Sequence, residues 1–240
     1  IIVRFTGCTH RCFFGEGGWC DSFYTSIHPE KGRFTLNQIK QFFEDNIGID
    51  HLMITGGSPT MSPIICNEVN SIFKEIHGSD QKSAVNWWEK GIVTLETEGS
   101  HPLTTTYPID LVSLSPKFSN SIPKLGIEKP LGGIVDEKFI AQHNKFRLNK
   151  PAMQQLINDH KNYHFKPVCN PVEQPEIWAE IEQFRNEMNI PKNKTWIMPP
   201  GATKDEIIRV LPDVINFCSE NGYNFSGRDH IIAFGETRCK

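Results

Sequence analysis

The chain of 240 residues has no apolar run approaching the roughly 20 residues that a membrane-spanning helix requires. It does not open on the charged-then-apolar pattern of a secretory leader. No basic block stands out either: 25 Lys and Arg face 28 Asp and Glu, a net charge of −3, and that balance does not point to a nucleic-acid groove. Cysteine is sparse, and its count of seven is odd, which speaks against a disulfide framework. Internal repeats and low-complexity tracts are missing. These absences leave, as an expectation, a soluble cytoplasmic protein of a reducing compartment, with no membrane and no direct nucleic-acid partner. The length suits one large domain or two small ones, and 38% hydrophobic residues can supply a core.

What is present concentrates near the start. Cys8, Cys12 and Cys20 follow the apolar stretch Val3-Arg-Phe. Four thiolates would close a structural zinc site or fill an iron–sulfur cube, whereas three on a four-iron cluster leave one iron open to a small molecule. Zinc remains the alternative, with His10 or His28 as a fourth ligand. The other cysteines are scattered. Cys66 and Cys218 fall in helical patterns, where a small buried thiol is ordinary.

Short apolar runs alternate with helical patterns along the chain. Strands are expected at 1–6, 52–55, 92–97, 111–115 and 195–198, and a weaker one at 163–169, where Pro167 interrupts the run. Helices are expected from Thr35, as N-cap with Gln38 as capping-box partner, and over 62–77, 176–188 and 204–221. Residues 118–150 give no clear pattern. Strands alternating with helices imply an α/β fold with a parallel sheet.

In such sheets, ligands bind at the carboxyl ends of the strands. The unusual residues fall there. The cysteine loop follows the first strand, Thr55-Gly-Gly-Ser-Pro the second, Glu96-Thr-Glu-Gly-Ser the third and Ser113-Leu-Ser-Pro-Lys the fourth, and Met198-Pro-Pro-Gly follows a later one. Each alone has a bland reading: a Gly-Gly is an ordinary tight turn, and a Ser-Pro opens a loop. Their shared position is the stronger signal.

The cysteine trio followed by Thr-Gly-Gly-x-Pro resembles the radical S-adenosylmethionine superfamily. That superfamily shows Cys-x3-Cys-x2-Cys, whereas the second spacing here is x7, an insertion within 13–18. Trp19 matches an aromatic often found before the third cysteine. Over residues 3 to 240 the order of Val3-Arg-Phe-x-Gly-Cys, Cys20-Asp-Ser, Thr55-Gly-Gly-Ser-Pro, Glu96-Thr-Glu-Gly-Ser, Ser115-Pro-Lys, Ile197-Met-Pro-Pro-Gly and His230-Ile-Ile-Ala-Phe-Gly resembles the 7-carboxy-7-deazaguanine synthase family.

The resemblance implies a single domain over 1–240, an incomplete TIM-type barrel of parallel strands. It implies that Cys8, Cys12 and Cys20 ligate a [4Fe–4S] cluster whose open iron holds S-adenosylmethionine, the source of a 5′-deoxyadenosyl radical. Gly56, Gly57, Ser58, Thr97, Ser115 and Lys117 would surround that cofactor, with Ser58 standing where the family often has Glu. The implied substrate is 6-carboxy-5,6,7,8-tetrahydropterin, which is ring-contracted with loss of ammonia in queuosine-type 7-deazaguanine biosynthesis. Arg4 would pair with its carboxylate. Thr97, Gly99, His230 and a terminal Lys240 would also face it, with Arg4 and His230 as the catalytic candidates. Ser22 would bind Mg²⁺, which accepts hard oxygen ligands; its bland role is to cap a turn. A flavodoxin-like electron donor and a homodimer are family expectations. The family's opening strand and Gln-Gly-Glu-Gly loop have no counterpart before Ile1, and Gly15-Glu-Gly-Gly is not assigned that role. Two rivals stand: another enzyme of the superfamily, such as a glycyl-radical activase, and a zinc-stabilised α/β binding module.

Overall fold

The computed structural model describes residues 1–14, 18–26, 29, 32, 34–46, 48–78, 91–130 and 132–235. Two compact units are formed: one from 1–8, 22–114 and 151–163, the other from 9–21, 115–150 and 164–240.

The first unit is built on parallel strands. β1 (Ile2–Phe5), β2 (His51–Gly56), β3 (Ile92–Thr97) and β4 (Leu111–Leu114) pair in that order, and β5 (Tyr163–Phe165) completes a sheet of five. The registers Ile2↔Met53, Leu52↔Val93 and Leu95↔Val112 are all parallel. Alternation along each strand decides what each face carries. Ile54, Leu95 and Val112 are fully buried on one face. The opposite face carries a polar row: Arg4 is level with Thr55, Glu96 is level with Ser113, and the Thr55 hydroxyl donates to Glu96 Oε2 at 2.9 Å.

Helix α1 (Phe23–Ser26) is a single turn. Helix α2 (Leu36–Asp45) starts as expected, with Thr35 and Gln38 closing a reciprocal capping box. Helix α3 (Pro63–Gly78) has Pro at its first position, where a missing N–H costs nothing. It buries Val69, Ile72, Phe73 and Ile76 at helical spacing. The link from β3 to β4 over 98–110 is irregular, carries Pro102 and Pro108, and is closed by reciprocal hydrogen bonds between Asp110 and Val93.

Helix α4 (Glu137–Lys145) in the second unit is capped by the Asp136 carboxylate, and α5 (Lys150–Asp159) links back to the first. Both lie where the sequence pattern was unreadable or unassigned, because their apolar faces are narrow. α5 buries only Ala152, Met153 and Leu156. Pro167 explains the short β5. It has no N–H for a ladder, yet its carbonyl accepts from Met198 at 3.0 Å, and parallel pairing resumes at Val168↔Met198. β6 (Trp196–Ile197) continues to β7 (Asn224–Phe225), also parallel.

Helices α6 (Pro175–Glu187) and α7 (Lys204–Asn221) supply the packing of this unit, and α8 (Asp229–Phe234) follows β7. Phe118, Phe165 and Phe184 form one aromatic cluster. Ile197, Val214 and Cys218 form another core under Trp178, Phe217 and Tyr223. Among the described residues, no helix is long and apolar enough to cross a membrane.

Candidate active site

At the carboxyl ends of β1 and β2 the backbone is packed too closely for side chains. Gly56 has φ +137°, and an added Cβ would lie 2.1 Å from the Phe5 carbonyl oxygen. At Gly57 it would lie 2.2 Å from the Gly7 oxygen and 3.0 Å from that of Thr25. The Gly57 amide donates to the Phe5 carbonyl at 2.9 Å, and the Gly7 amide donates to the Thr25 carbonyl at 2.6 Å. The Gly-Gly pair is therefore more than a turn. It lets three backbone segments meet just before Cys8.

The β3 end adds a buried polar cluster. The Thr97 and Thr60 hydroxyls are 2.5 Å apart, and the Gly99 amide donates to Thr97 Oγ1 at 3.0 Å. Gly99 has φ +78°, and a Cβ there would meet Met153 at 2.7 Å and Leu114 at 2.8 Å. Glu98 is 5% exposed; its Oε1 accepts from the Ser58 hydroxyl at 2.5 Å and from the Ser100 hydroxyl. Cys8 Sγ lies within 4.8 Å of a Glu98 carboxylate oxygen.

In the second unit, the long spacing between Cys12 and Cys20 is folded out as a hairpin. Phe13 and Trp19 form an antiparallel bridge, their rings meet edge-on at 5.2 Å, and the Cys20 amide donates to the Cys12 carbonyl at 3.0 Å. Cys20 thus returns beside Cys12 despite the seven intervening residues. Trp19 anchors the hairpin, its indole N–H donating to the Glu128 carbonyl at 3.2 Å. Behind Cys20, its thiol approaches Asp21 Oδ1 at 3.7 Å, and Arg228 holds Asp21 Oδ2 while also donating to the Gly201 carbonyl.

The loop after β4 is fixed by a second network. Lys117 Nζ donates to Ser115 Oγ at 3.0 Å, and Arg147 donates to the Lys117 carbonyl at 3.1 Å and to Glu180 at 3.0 Å. Burial pushes the Glu180 carboxyl up, but the Ser119 hydroxyl and amide and the Arg147 guanidinium outweigh it, so it ends below the usual carboxylate range. His143 accepts from the Arg11 amide at its Nδ1, 2.9 Å away, and its Nε2 lies 3.2 Å from Ser121 Oγ, which in turn donates to the Phe118 carbonyl. That chain suits a neutral ring with its proton on Nε2. Burial first, then the charges of its neighbours, pushes His143 and His10 down to about 3.

Ser58, Thr97 and Gly99 lie in the buried cluster of the first unit. Ser115 and Lys117 are bonded to each other. Arg4 is exposed on β1, and His230 is exposed on α8. The Ser22 carbonyl caps α1, accepting from the Thr25 and Ser26 amides and the Thr25 hydroxyl. Lys240, His28 and residues 15–17 lie outside the described residues. Glu98, Arg228 and His143 were not singled out from sequence. Glu98 sits inside a quoted motif; the other two carry no local signal, because their partners are over 100 residues away in the chain.

Cys12 and Cys20, side by side in the second unit, offer two thiols of the kind that an iron–sulfur centre takes as thiolates, and Cys8 of the first unit is of the same kind. The hairpin restores the closeness that the sequence spacing denied Cys20. Arg11, Lys117 and Arg147 place positive charge near His10. At Gly56-Gly57 the space a Cβ would need is filled by the protein's own main chain at Phe5, Gly7 and Thr25.

The fold is α/β, built on a five-stranded sheet of parallel strands, and the relatives of the chain are enzymes. The comparisons name such an enzyme. The chain is similar to 7-carboxy-7-deazaguanine synthase of Halobacterium salinarum, 26% identical over 238 residues that cover 98% of this chain and 83% of the relative. The enzyme of that name from Rhodopirellula baltica is 27% identical over 238 residues, covering 99% and 80%. That of Pyrobaculum aerophilum is 22% identical over 242 residues, covering 100% and 88%. No protein-family profile matches the chain.

Proposed function

We propose that this protein is a 7-carboxy-7-deazaguanine synthase of the radical S-adenosylmethionine type, a single functional domain with a partial barrel of parallel strands. Its reaction would convert 6-carboxy-5,6,7,8-tetrahydropterin to 7-carboxy-7-deazaguanine with release of ammonia. Similarity over nearly the whole of this chain to three synthases of that name supports the substrate. The observation that carries the chemistry is the hairpin that returns Cys20 to Cys12, because it answers the one departure from the superfamily's cysteine spacing.

Cys8, Cys12 and Cys20 would hold a [4Fe–4S] cluster, and the Gly56-Gly57 cradle would take the amino-acid end of S-adenosylmethionine. When bound, these groups supply the one-electron chemistry that removes a substrate hydrogen. The chain's own part is binding and positioning. Arg4 stands at the exposed end of the polar row that runs through Thr55 and Glu96 to Ser113, where a guanidinium would meet a substrate carboxylate. Thr97 and Gly99 would bind the pterin edge, and His230 would approach from α8. Ser22 would offer its hydroxyl to Mg²⁺, and the electron would come from a flavodoxin-like donor.

The test is anaerobic reconstitution with iron and sulfide, followed by dithionite, S-adenosylmethionine, Mg²⁺ and the tetrahydropterin. The expected result is 7-carboxy-7-deazaguanine by mass, abolished in Cys20→Ala. A brown protein that cleaves S-adenosylmethionine without forming the deazapurine would remove the substrate from this reading. A colourless protein holding tetrahedral zinc would remove the chemistry as well.

A further inference from the structure

Asp21 is held at both of its carboxylate oxygens. The Cys20 thiol donates to Oδ1 at 3.7 Å, and the Arg228 guanidinium donates to Oδ2 from Nη2. The other arm of the guanidinium, Nη1, donates to the Gly201 carbonyl, so two attachments aim a planar fork at Asp21. Gly201 is itself packed against the start of α7, where an added Cβ would lie 3.0 Å from Ile207 and 3.1 Å from Glu206. The pair is withdrawn from solvent: 13% of the Arg228 side chain is exposed and 27% of that of Asp21, so water screens the charges less than at a surface bridge. Arg228 is the residue that opens α8, two positions before His230. One guanidinium therefore joins three stretches of the second unit: the end of the cysteine hairpin, the loop after β6 and the start of α8.

The chemistry of Cys20 calls for more than an anchor. As a thiol, it has a proton to give Asp21. As a thiolate it has none, and the carboxylate then faces a second anion across the same gap. A carboxylate so placed opposes both the thiolate and the addition of an electron to any group built on it. Arg228 sets a positive charge on the far oxygen of that carboxylate. An anchor alone would not need the charge, since Gln and Asn can also join two segments by hydrogen bonds.

We infer that Arg228 is a positioning residue for the third cysteine. It acts through Asp21, fixing the end of the hairpin and compensating the carboxylate beside Cys20, so that an iron–sulfur cluster held there accepts an electron more readily. This rests on the proposed cluster and goes beyond it to a residue that tunes it.

The test is a redox titration of the anaerobically reconstituted protein, read by electron paramagnetic resonance of the reduced cluster, with iron per chain counted first. At a fixed potential near the wild-type midpoint, Arg228→Gln should lower the ratio of reduced to oxidised cluster by roughly fivefold or more, whereas Arg228→Lys, which keeps the charge, should stay within about twofold of wild type. Adding Asp21→Asn to Arg228→Gln removes the uncompensated anion and should return the ratio to within about twofold of wild type. That rescue separates charge compensation from anchoring. An unchanged ratio in Arg228→Gln, an equal loss in Arg228→Lys, or an equal loss in the double variant overturns the inference. Should Arg228→Gln take up no iron, iron per chain becomes the readout: recovery in the double variant supports the inference, and no recovery overturns it. A wild-type protein that forms no iron–sulfur cluster removes the cluster reading and this inference together, an outcome separate from a failure at Arg228.

Discussion

Gly57→Ala should uncouple the cysteine loop from the sheet. A Cβ at Gly57 would stand 2.2 Å from the Gly7 carbonyl oxygen, where 3.4 Å is the start of ordinary contact. Relief requires a shift of about 1.2 Å in main chain, since the obstructing atoms are backbone and not the end of a flexible side chain. The nearest movable segment is Gly7, whose amide is tied to Thr25 and which is bonded to Cys8. Overpacking of this kind costs about 1–3 kcal/mol, and weakening the Gly7–Thr25 or Gly57–Phe5 hydrogen bond adds about 1 kcal/mol. A total near 3 kcal/mol lowers the melting temperature of a chain this size by about 6–12 °C.

The assays are thermal melting by circular dichroism and iron per chain after anaerobic reconstitution. Both should fall in Gly57→Ala. Gly48→Ala is the control: an added Cβ there has no atom within 4 Å and no positive φ to strain, so it should melt with wild type or slightly above it. A Gly57→Ala protein that melts with wild type and takes up full iron would refute the claim that close backbone approach at this glycine positions Cys8.

Acid should weaken the fold through His10 and His143. Both have folded values pushed down to about 3 from 6.5, so below pH 6.5 the unfolded chain binds protons that the folded chain does not. Their contribution is complete above pH 6.5 and is lost as pH falls toward 3, by at most about 1.4 kcal/mol per pH unit per histidine. Urea unfolding at pH 7 and pH 5 reads the slope. His143→Gln should flatten it by one histidine's share, and an unchanged slope would show that His143 is protonated without cost. Trp19→Ala removes the indole contact to Phe13 and the hydrogen bond to the Glu128 carbonyl, for a loss of about 1–3 kcal/mol at this half-buried site. Its iron content should fall with Cys20 no longer held beside Cys12, whereas Trp19→Phe should retain most of it; equal iron in both variants and wild type would count against the hairpin's role.

Features that depend on near neighbours are legible in the order of the residues. Thr35 and Gln38 predict a capping box because both partners sit within one turn, and the structure has it. The apolar runs at 52–55 and 92–97 become strands because burial on both sides leaves nothing else for them to do. The placement of Gly56-Gly57 and Thr97 at strand ends follows from those same runs. Local pattern failed where the stabilising partner is distant. α4 and α5 have narrow apolar faces, so their sequences do not announce helices. Tertiary structure alone decided the rest. A seven-residue gap between Cys12 and Cys20 says nothing of a hairpin until Trp19 finds Glu128. Arg228 becomes part of the Cys20 surroundings only when chain 207 residues away brings Asp21 to it. Glu98 looks like any loop glutamate until the Ser58 and Ser100 hydroxyls both donate to one of its oxygens. In each case the deciding energy is a long-range contact, and a one-dimensional pattern records only the residues that make it, not the meeting.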